Sequence, residues 1–407
     1  MTEQLENALR RTLKDAAEHA PKAPPGIGLA PRTHRVRRGP SRTMLAAAAV
    51  VVAITGTTVG VHALLNDSSH RTPADEHVTA APSPSLHPLK KTKVPAIEKV
   101  WPGAAFRVPR TLPNGHVFHP AAIIDAHTIA VTTESSFEKA DAIYAYDLRS
   151  HATRQITTIV TPPGTKMFAS DFIAGGGYVA WWLYDGTRTE IWAAPVSGGQ
   201  ARLVAQSNGR GPSQLAIDGT DAVWSLDPVG GVYRAPLAGG GTTRMVPGST
   251  SMHLLLWPWI GTPPTRLRSG SIRDNFGVAF AHVRNAVNGE TRSAHLTDRA
   301  VWRCGPTWCV GADDHFVTEA QRRDGSGRRA IPRVAAGGFD LVPPVLDRFV
   351  ITAPSGGTIA VYDLRTGKIG DLRIGKGGGY VTSQRVSSSF YWTTTAGGYV
   401  VVNLGAI

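Results

Sequence analysis

The sequence predicts an all-β fold, a seven-bladed β-propeller closed by an N-terminal strand and preceded by a single transmembrane helix and a short cytosolic helix. Three observations predict it. A β-rich unit recurs seven times, 44 glycines and 29 prolines among 407 residues favour many turns, and one run of 22 residues lacks any charge. With 42% hydrophobic residues the chain can build a large core, which excludes global disorder.

Residues 1–43 form the predicted cytosolic segment, and within it residues 2–20 read as an amphipathic helix. Leu5, Leu9 and Leu13 recur at the spacing that places them on one helical face. A lone helix of this length is marginal in water. Two interpretations therefore stay open: a cytosolic partner covers the leucine stripe, or the segment is a weakly ordered tail.

Residues 44–65 are predicted to span the membrane. At 1.5 Å per residue this uncharged run reaches about 33 Å, enough for a hydrocarbon core of about 30 Å. Arginines cluster immediately before it, which places the N-terminus in the cytosol and everything after residue 65 outside, at the cell membrane. A cleaved signal peptide is the alternative, but the preceding 43 residues exceed an ordinary n-region, so an uncleaved signal anchor is favoured.

Residues 66–98 form the predicted extracytoplasmic linker, and residues 99–407 form the propeller domain. Five prolines punctuate a linker of small and polar residues that has little to bury. We expect a stalk between the membrane and the domain.

The repeat unit contains a short β run, usually followed by a glycine-rich turn. Successive runs begin 38 to 47 residues apart, close to the 40–50 residues of a four-stranded blade. A six-bladed ring is the alternative if the irregular unit at 252–298 is an elaborated hairpin. The seven runs are Ile143–Leu148, Glu190–Val196, Gly231–Leu237, Val278–Arg284, Phe316–Arg322, Thr358–Leu364 and Gly398–Leu404.

The segment Ala105–Leu112 belongs to no repeat, while the last unit ends at Ile407 without room for a fourth strand. Twisted blades bury their faces only by stacking in a closed circle. We therefore predict that this segment supplies the outermost strand of the last blade.

Residues 223–247 resemble a repeat of the YWTD/TolB-like β-propellers, as do residues 179–204 and, more weakly, the segment from Tyr391 to Thr394. Thr394 stands where the motif has aspartate. The layout of helix, span, stalk and propeller is also similar to actinobacterial single-pass membrane propeller proteins. The resemblance implies a fold over roughly 300 residues and assigns no catalytic residue.

Cys304 and Cys309 are the only cysteines, separated by Gly-Pro-Thr-Trp. This spacing lets them face each other at the neck of a tight turn, and outside the cell they should be oxidised. We predict a structural disulfide, since a reactive dithiol usually has CxxC spacing.

Binding residues are expected on the loops and strand ends. The long loop 261–276 carries Arg266, Arg268 and Arg273, and exposed aromatics at Trp182, Tyr184 and Trp259 would serve as platforms. The alternative is that the tryptophans are core between blades and the arginines are solvated. No motif indicates a catalytic residue, a metal site or a cofactor.

The net charge of +13 does not indicate a nucleic-acid partner. Residues 101–407 hold 29 Lys and Arg against 22 Asp and Glu, with no basic stripe interleaved with aromatics. We expect a membrane-anchored binding module for an extracytoplasmic ligand or protein. Envelope sensing through the cytosolic helix is an open extension of this interpretation. An extracytoplasmic hydrolase or lyase and a passive envelope scaffold are the alternatives.

Overall fold

The computed structural model describes a domain of antiparallel sheets in which successive sheets pack face to face. It describes residues 94–136, 139–159, 161, 168–208, 212–226, 229–262, 278–296, 301–312, 318–332, 342–352, 359–373, 380–382, 389–393 and 398–407. The predicted cytosolic segment 1–43, the predicted span 44–65 and nearly all of the linker 66–98 lie outside these ranges. Among the helices that are described, none is long and apolar enough to cross a membrane.

The described strands form seven sheets, which we number as blades 1 to 7 along the chain. Blade 1 contains β2 Phe118–Ile123, β3 Thr128–Ser136, β4 Lys139–Asp147 and β5 Thr153–Thr158. Blade 2 contains β6 Phe168–Gly175, β7 Tyr178–Tyr184, β8 Arg188–Pro195 and β9 Arg202–Asn208. Blade 3 contains β10 Pro212–Asp218, β11 Asp221–Leu226, β12 Val232–Pro236 and β13 Arg244–Met245.

The later blades are less regular. Blade 4 contains β14 His253–Leu256, β15 Trp259–Gly261, β17 His282–Asn285 and β18 Thr291–Ser293. Blade 5 contains β16 Val278–Ala279, β19 Val301–Cys304, β20 Trp308–Ala312, β21 Thr318–Arg322 and β22 Arg329–Ala330. Blade 6 shows β23 Phe349–Thr352, β24 Ala360–Asp363 and β25 Ile369–Asp371. Blade 7 contains β26 Tyr380–Thr382, β27 Ser389–Thr393, β28 Gly398–Asn403 and β1 Ala105–Pro109, and a short helix α1, Ile97–Val100, precedes β1.

Alternation of side chains along the strands lets each blade bury both faces. In β7, Val179, Trp181 and Leu183 pack against blade 1. The intervening Ala180 and Trp182 pack against blade 3. Two adjacent tryptophans thus serve opposite joints, which is why the strand reads as almost continuously apolar.

The joints between blades form a closed cycle. Apolar clusters fill the joints of blades 1–2, 2–3, 3–4, 5–6, 6–7 and 7–1. The joint between blades 4 and 5 combines a smaller apolar cluster, in which Ala294 and Leu296 pack against Trp302, with the buried Arg323 guanidinium. A cycle of seven stacked sheets is the arrangement of a seven-bladed β-propeller, in agreement with the seven-unit interpretation.

Ring closure occurs as the sequence predicted. Strand β1 pairs antiparallel with β28, from Ala105 opposite Val402 to Pro109 opposite Gly398. It is the outermost strand of blade 7, whose other strands come from the opposite end of the domain.

The segment before β1 extends this closure onto blade 6. Ala96 forms a parallel bridge with Asp371, whose amide donates to Pro95 O at 2.7 Å. Ile97 and Trp101 are buried in the joint of blades 6 and 7. We call residues 95–112 the N-terminal strap, because Leu112 is in turn buried in the joint of blades 7 and 1.

The structure corrects the unit at 252–298. The expected run Val278–Arg284 is split, since Val278–Ala279 is β16 and pairs in parallel with β19 of blade 5. Only His282–Asn285 continues as the third strand of blade 4. The long connection between β15 and β17 gives the chain room to reach the next blade, which the spacing of repeats could not reveal.

We call the four strands of a regular blade A to D, from the ring axis outward, because the first strands of neighbouring blades lie beside each other. Antiparallel alternation then puts the A–B and C–D turns at one end of the ring, the AB rim. The B–C turns and the connections between blades lie at the other end, the BC rim.

An arginine is the first or second residue of strand D in blades 1 to 5. Arg154 donates to Val196 O at 2.7 Å and Arg202 to Ala238 O at 3.2 Å. Arg329 donates to Leu364 O in the same way. Each acceptor lies just after strand C of the next blade, so these side chains bind neighbouring blades together at the AB rim. The five arginines are Arg154, Arg202, Arg244, Arg292 and Arg329.

Candidate functional site

Two of the residues expected to bind, Trp182 and Tyr184, lie together near the BC rim of blade 2. Their ring centroids are 6.5 Å apart with planes at 65°. Trp182 Nε1 donates to Asp171 Oδ2 at 2.5 Å, and the Tyr184 hydroxyl donates to Gly186 O at 2.5 Å. Both rings are partly buried and anchored by these bonds, so they form a rigid aromatic edge.

A polar cluster that the sequence did not predict lies on the same rim, at the joint of blades 7 and 1. His119 Nε2 lies 3.8 Å from Glu134 Oε2, and the His119 and Tyr399 ring centroids are 6.2 Å apart. Arg110 follows the closing strand, and its backbone carbonyl accepts from the Phe118 amide at 3.1 Å, next to His119. We call these four residues the BC-rim quartet.

The pKa of Tyr399 reflects its burial and the charges of the BC-rim quartet. Burial raises the pKa of its hydroxyl, and Glu134 acts in the same direction, whereas the charge of Arg110 opposes both. The phenol is therefore neutral at physiological pH, and the quartet carries one fixed cation beside one carboxylate. It offers donors, an acceptor and an imidazole ring at one place.

The quartet escaped sequence reasoning because its members are distant in the chain. Arg110 and Tyr399 come from opposite ends of the domain and meet only through the pairing of β1 with β28. His119 and Glu134 lie on neighbouring strands of blade 1. The predicted ring closure is the one signal that could have placed Arg110 beside the last blade.

Trp259, the third expected aromatic, is buried and lies at the opposite end of the ring. It begins strand β15 at the AB rim, where the Arg292 guanidinium covers its ring at 4.3 Å. Arg292 also bonds Glu290 Oε1 at 2.7 Å and Pro306 O at 3.1 Å. The structure therefore separates Trp259 from Trp182 and Tyr184.

Arg266, Arg268 and Arg273 lie outside the described residues. In the chain they stand between the end of β15 and the start of β16. Their binding role stays a prediction.

The two cysteines form the predicted disulfide, Cys304–Cys309, and both are fully buried. They lie directly opposite each other on β19 and β20. The hairpin between them is held from two sides. The Asp347 carboxylate accepts from the Thr307 and Trp308 amides at 2.9 and 3.0 Å, while Arg323 Nε donates to Gly305 O at 2.8 Å.

Charges at the AB rim of blades 4 to 6 are largely engaged within the fold. Burial lowers the pKa of Arg323 to about 10, partly offset by Asp347, and burial raises the pKa of Asp347. Arg348 pairs with the buried Asp363 through two bonds of 2.9 and 2.8 Å. Within the described ranges, no group of three or more His, Cys, Asp or Glu side chains is placed to hold a metal ion.

The fold and this rim define the protein as a β-propeller with a polar and aromatic BC rim. No family model and no curated protein matches the sequence. The chain is similar in structure to the β-propeller domain of the Trilobed protease from Pyrococcus furiosus, at 11% identity and a TM-score of 0.43, covering 74% of this chain and 96% of that one.

Two other solved structures show a comparable likeness. BamB from Moraxella catarrhalis has 12% identity and a TM-score of 0.36, covering 78% of this chain and 96% of that one. The catalytically inactive virginiamycin B lyase from Staphylococcus aureus, solved with quinupristin, has 11% identity and a TM-score of 0.40. The match covers 74% of this chain and 99% of that one. The propeller assignment above depends on the cycle of sheets in this chain.

Proposed function

We propose that this protein is a membrane-anchored extracytoplasmic β-propeller that binds a ligand or protein partner at its BC rim. One observation carries the choice of rim. The AB-rim arginines that bridge blades are bonded to carbonyls of the fold, whereas Arg110, His119 and Glu134 of the BC-rim quartet are exposed or partly exposed. A rim with unused donors and acceptors is the better recognition surface.

The membrane anchor in this proposal comes from the uncharged run 44–65 and the arginines before it. The buried disulfide also supports an extracytoplasmic location for the propeller domain, since disulfides persist in oxidising compartments. The similarity to actinobacterial single-pass membrane propellers and to YWTD/TolB-like repeats also agrees with this layout. The segment 1–43 would then present its helix to a cytosolic partner.

Site-specific photo-crosslinking in the full-length protein, in its native membrane, tests the rim assignment. A crosslinking residue is placed at Asn114 or Thr187, both exposed at the BC rim. Matched positions at the AB rim are Arg149 and Asn288, which are equally exposed. We expect specific adducts from the BC-rim positions only; adducts confined to the AB rim would reverse the assignment.

Topology is tested separately. A C-terminal tag should be digested by protease added to intact spheroplasts, while a tag at residue 1 should be protected until the membrane is broken. Protection of the C-terminal tag would contradict the anchor orientation.

A hydrolase or lyase is the second candidate, favoured by one observation. His119 and Glu134 are groups that commonly transfer protons, and they lie 3.8 Å apart at the ring mouth. An enzyme should release a product from a captured ligand, and His119→Gln should abolish that release, whereas a binding module should return the ligand unchanged from parent and variant alike.

A further inference from the structure

We propose that the BC rim of blade 2 binds a basic segment of a protein partner, whose arginine or lysine side chain lies against three aromatic rings and beside a carboxylate. The rings are those of Phe168, Trp182 and Tyr184, which we call the aromatic trio, and the carboxylate is that of Asp185. This inference rests on the proposed function and names the chemistry of the partner at one place on its rim.

The aromatic trio is one continuous surface. Phe168, the first residue of β6, pairs directly with Tyr184 of β7, and the side chains of such a pair project from the same face of a sheet. The Trp182 and Tyr184 ring centroids are 6.5 Å apart. Trp182 packs in the joint with blade 3, so alternation along β7 places all three rings on the face of blade 2 that borders blade 3.

The polar atoms of the aromatic trio are already used within the fold. Trp182 Nε1 donates to Asp171 Oδ2, and the Tyr184 hydroxyl donates to Gly186 O. Phe168 has no polar side-chain atom and is 44% exposed. The trio therefore offers a ligand ring surface rather than hydrogen bonds, and the faces of aromatic rings attract cations.

At the AB rim the protein covers its own aromatic rings with arginines. The rings of Trp259, Trp308 and Phe349, the first residues of β15, β20 and β23, lie 4.3, 5.0 and 4.7 Å from guanidinium carbons. Within the described ranges, no guanidinium covers a ring of the aromatic trio in this way. A partner's cation can make here the contact that an internal arginine makes at the other rim.

Asp185 gives this edge of the rim a negative charge. Its Oδ1 accepts from the Arg188 amide at 2.6 Å and from the Thr187 amide and hydroxyl at 2.8 Å each. These bonds lower the pKa of the carboxyl, so it is ionised at neutral pH. All three bonds fall on Oδ1, which leaves Oδ2 to a ligand. The Tyr184 phenol lies along the same turn, because its hydroxyl donates to Gly186 O.

The cation of this turn is committed to another carboxylate. Arg188 Nη2 lies 3.0 Å from Oε1 of the buried Glu190. Glu190 also accepts from Trp192 Nε1 at 3.0 Å, and Trp192 packs in the joint with blade 1. The ion pair of Arg188 and Glu190 therefore lies on the face of blade 2 opposite to the aromatic trio.

Apolar side chains of blade 3 border the same joint. Val229, in the turn between β11 and β12, is 71% exposed. Leu226, at the end of β11, packs in the same cluster as Trp182. A small free cation would leave this surface uncovered, whereas a polypeptide covers it with the residues beside its cationic side chain. The surface therefore fits a basic protein segment with aliphatic neighbours.

Titration of the full-length protein in phosphatidylcholine nanodiscs with two short peptides tests the proposal. N-acetyl-leucyl-arginyl-leucinamide carries the cation, and its citrulline counterpart has nearly the same shape without the charge. Isothermal titration calorimetry should show saturable binding of the arginine peptide, at least about fivefold tighter than that of the citrulline peptide. Equal affinities would overturn the assignment of a cation.

The carboxylate is tested by Asp185→Asn, which removes the charge but keeps Oδ1 as the acceptor of the turn. We expect at least about threefold weaker binding of the arginine peptide and unchanged binding of the citrulline peptide. Asp147→Asn is the matched control, because Asp147 Oδ1 accepts three bonds of the same kind from Arg149 and Ser150 at the AB rim. Equal losses in the two variants would remove Asp185 from the site.

The rings are tested by Phe168→Leu, which keeps an apolar side chain and removes the π face. We expect at least about threefold weaker binding of the arginine peptide. Met245→Leu is the matched control, because Met245 is also 44% exposed and lies on the outer strand of blade 3. Melting temperatures close to that of the parent should accompany both changes, and undiminished binding by Phe168→Leu would overturn the aromatic part of the site.

Two outcomes separate this inference from its alternatives. Cellobiose is a neutral ligand that can stack on aromatic rings, and if it binds as tightly as the arginine peptide, the basic-segment assignment is wrong. If neither peptide binds while crosslinks still form from Thr187, the BC rim binds another partner and only this inference is lost. Crosslinks confined to the AB rim would instead overturn the rim assignment itself.

Discussion

The guanidinium of Arg323 adds polar contacts to the joint between blades 4 and 5, beside the small apolar cluster around Trp302. It donates to the carbonyls of Gly305 at 2.8 Å, Ala281 at 2.8 Å and Phe280 at 2.5 Å. Gly305 lies in the β19–β20 hairpin of blade 5, whereas Phe280 and Ala281 lie between β16 and β17 and lead into blade 4. A buried charge costs free energy unless it is bonded on all sides, and here three nitrogens find carbonyl partners.

Arg323→Lys should therefore destabilise the domain by at least about 3 kcal/mol, because one ammonium nitrogen cannot reach carbonyls that diverge from three guanidinium nitrogens. Urea unfolding measures the loss. The neighbouring Arg322→Lys is the control: Arg322 is exposed and only faces the Trp308 ring at 5.4 Å, so a change within about 0.5 kcal/mol is expected. Equal effects would contradict the bridging role.

Asp363 and Asp347 respond to burial in opposite ways. Burial works against ionisation of Asp363, but bonds from Arg348, Thr366 and the Arg365 amide prevail and hold its pKa below the usual value. Burial dominates at Asp347 and raises its pKa. Of these two carboxylates, Asp363 is the one whose ionisation stabilises the fold. This contribution to the free energy of unfolding is present above the unfolded pKa of about 3.9 and is lost as pH falls through the lower pKa of the folded state.

Asp363→Asn should lower the free energy of unfolding by about 2 kcal/mol at pH 7, because Arg348 loses its buried partner. The difference from the parent should shrink as pH falls below about 4, where the unfolded parent takes up a proton at Asp363, and should vanish once the pH passes the lower pKa of the folded carboxylate. Denaturant unfolding at pH 7, 5 and 3 measures it. A difference that stays constant across this range would show that the charge of Asp363 contributes nothing.

At the scale of the element, the outer strands explain part of the basic composition. Arg154, Arg202 and Arg329 each bond the carbonyl after strand C of the next blade. Arg292 bonds the hairpin of blade 5. These side chains are tied to neighbouring blades, so the moderate excess of arginine in the domain does not by itself indicate an anionic partner.

Arg154→Gln and Arg202→Gln should each lower stability by about 0.5–1 kcal/mol, since each removes one charged hydrogen bond at a solvated joint. They act on different joints, so the double variant should show nearly the sum. Guanidinium unfolding measures both. Arg149→Gln, which removes an exposed arginine outside these bonds, should be neutral; a similar loss there would assign the effect to net charge.

Sequence reasoning recovered the elements better than the site. The runs with regular spacing, such as Glu190–Val196 and Thr358–Leu364, fall on the third strands β8 and β24. Alternation within one strand is local and can be read directly. The prediction of one continuous strand around Val278 was wrong, because β16 pairs with another blade. The BC-rim quartet was not predicted, because the sequence around His119 and Arg110 does not indicate which residues lie beside them in the fold.

At the scale of the whole molecule, the N-terminal strap joins three blades. Ala96 bridges blade 6, Trp101 fills the joint of blades 6 and 7, and Leu112 fills the joint of blades 7 and 1. Gly370 makes this contact fit, because a Cβ there would lie 2.9 Å from Trp101 Cζ3 and 3.0 Å from Ile97 Cα. A glycine in the outer strand of blade 6 thus controls how the strap seats.

Gly370→Val should release helix α1 from blade 6 while β1 stays paired. Hydrogen exchange should become faster over residues 97–101 and stay unchanged in blades 2 and 3, with a melting temperature a few degrees lower. Gly103→Val is the matched control in the strap itself, because nothing lies within 4 Å of the added carbon. Unchanged exchange in Gly370→Val would show that the contact with α1 is weak.

The pairing of β1 with β28 also sets an order on biosynthesis. Among the described strands β1 emerges first from the ribosome and β28 emerges last, so β1 waits unpaired while almost all of the domain is made. During that interval its backbone groups are open to any other extended chain. A nascent protein of this kind depends on finishing translation before its earliest strand finds a wrong neighbour.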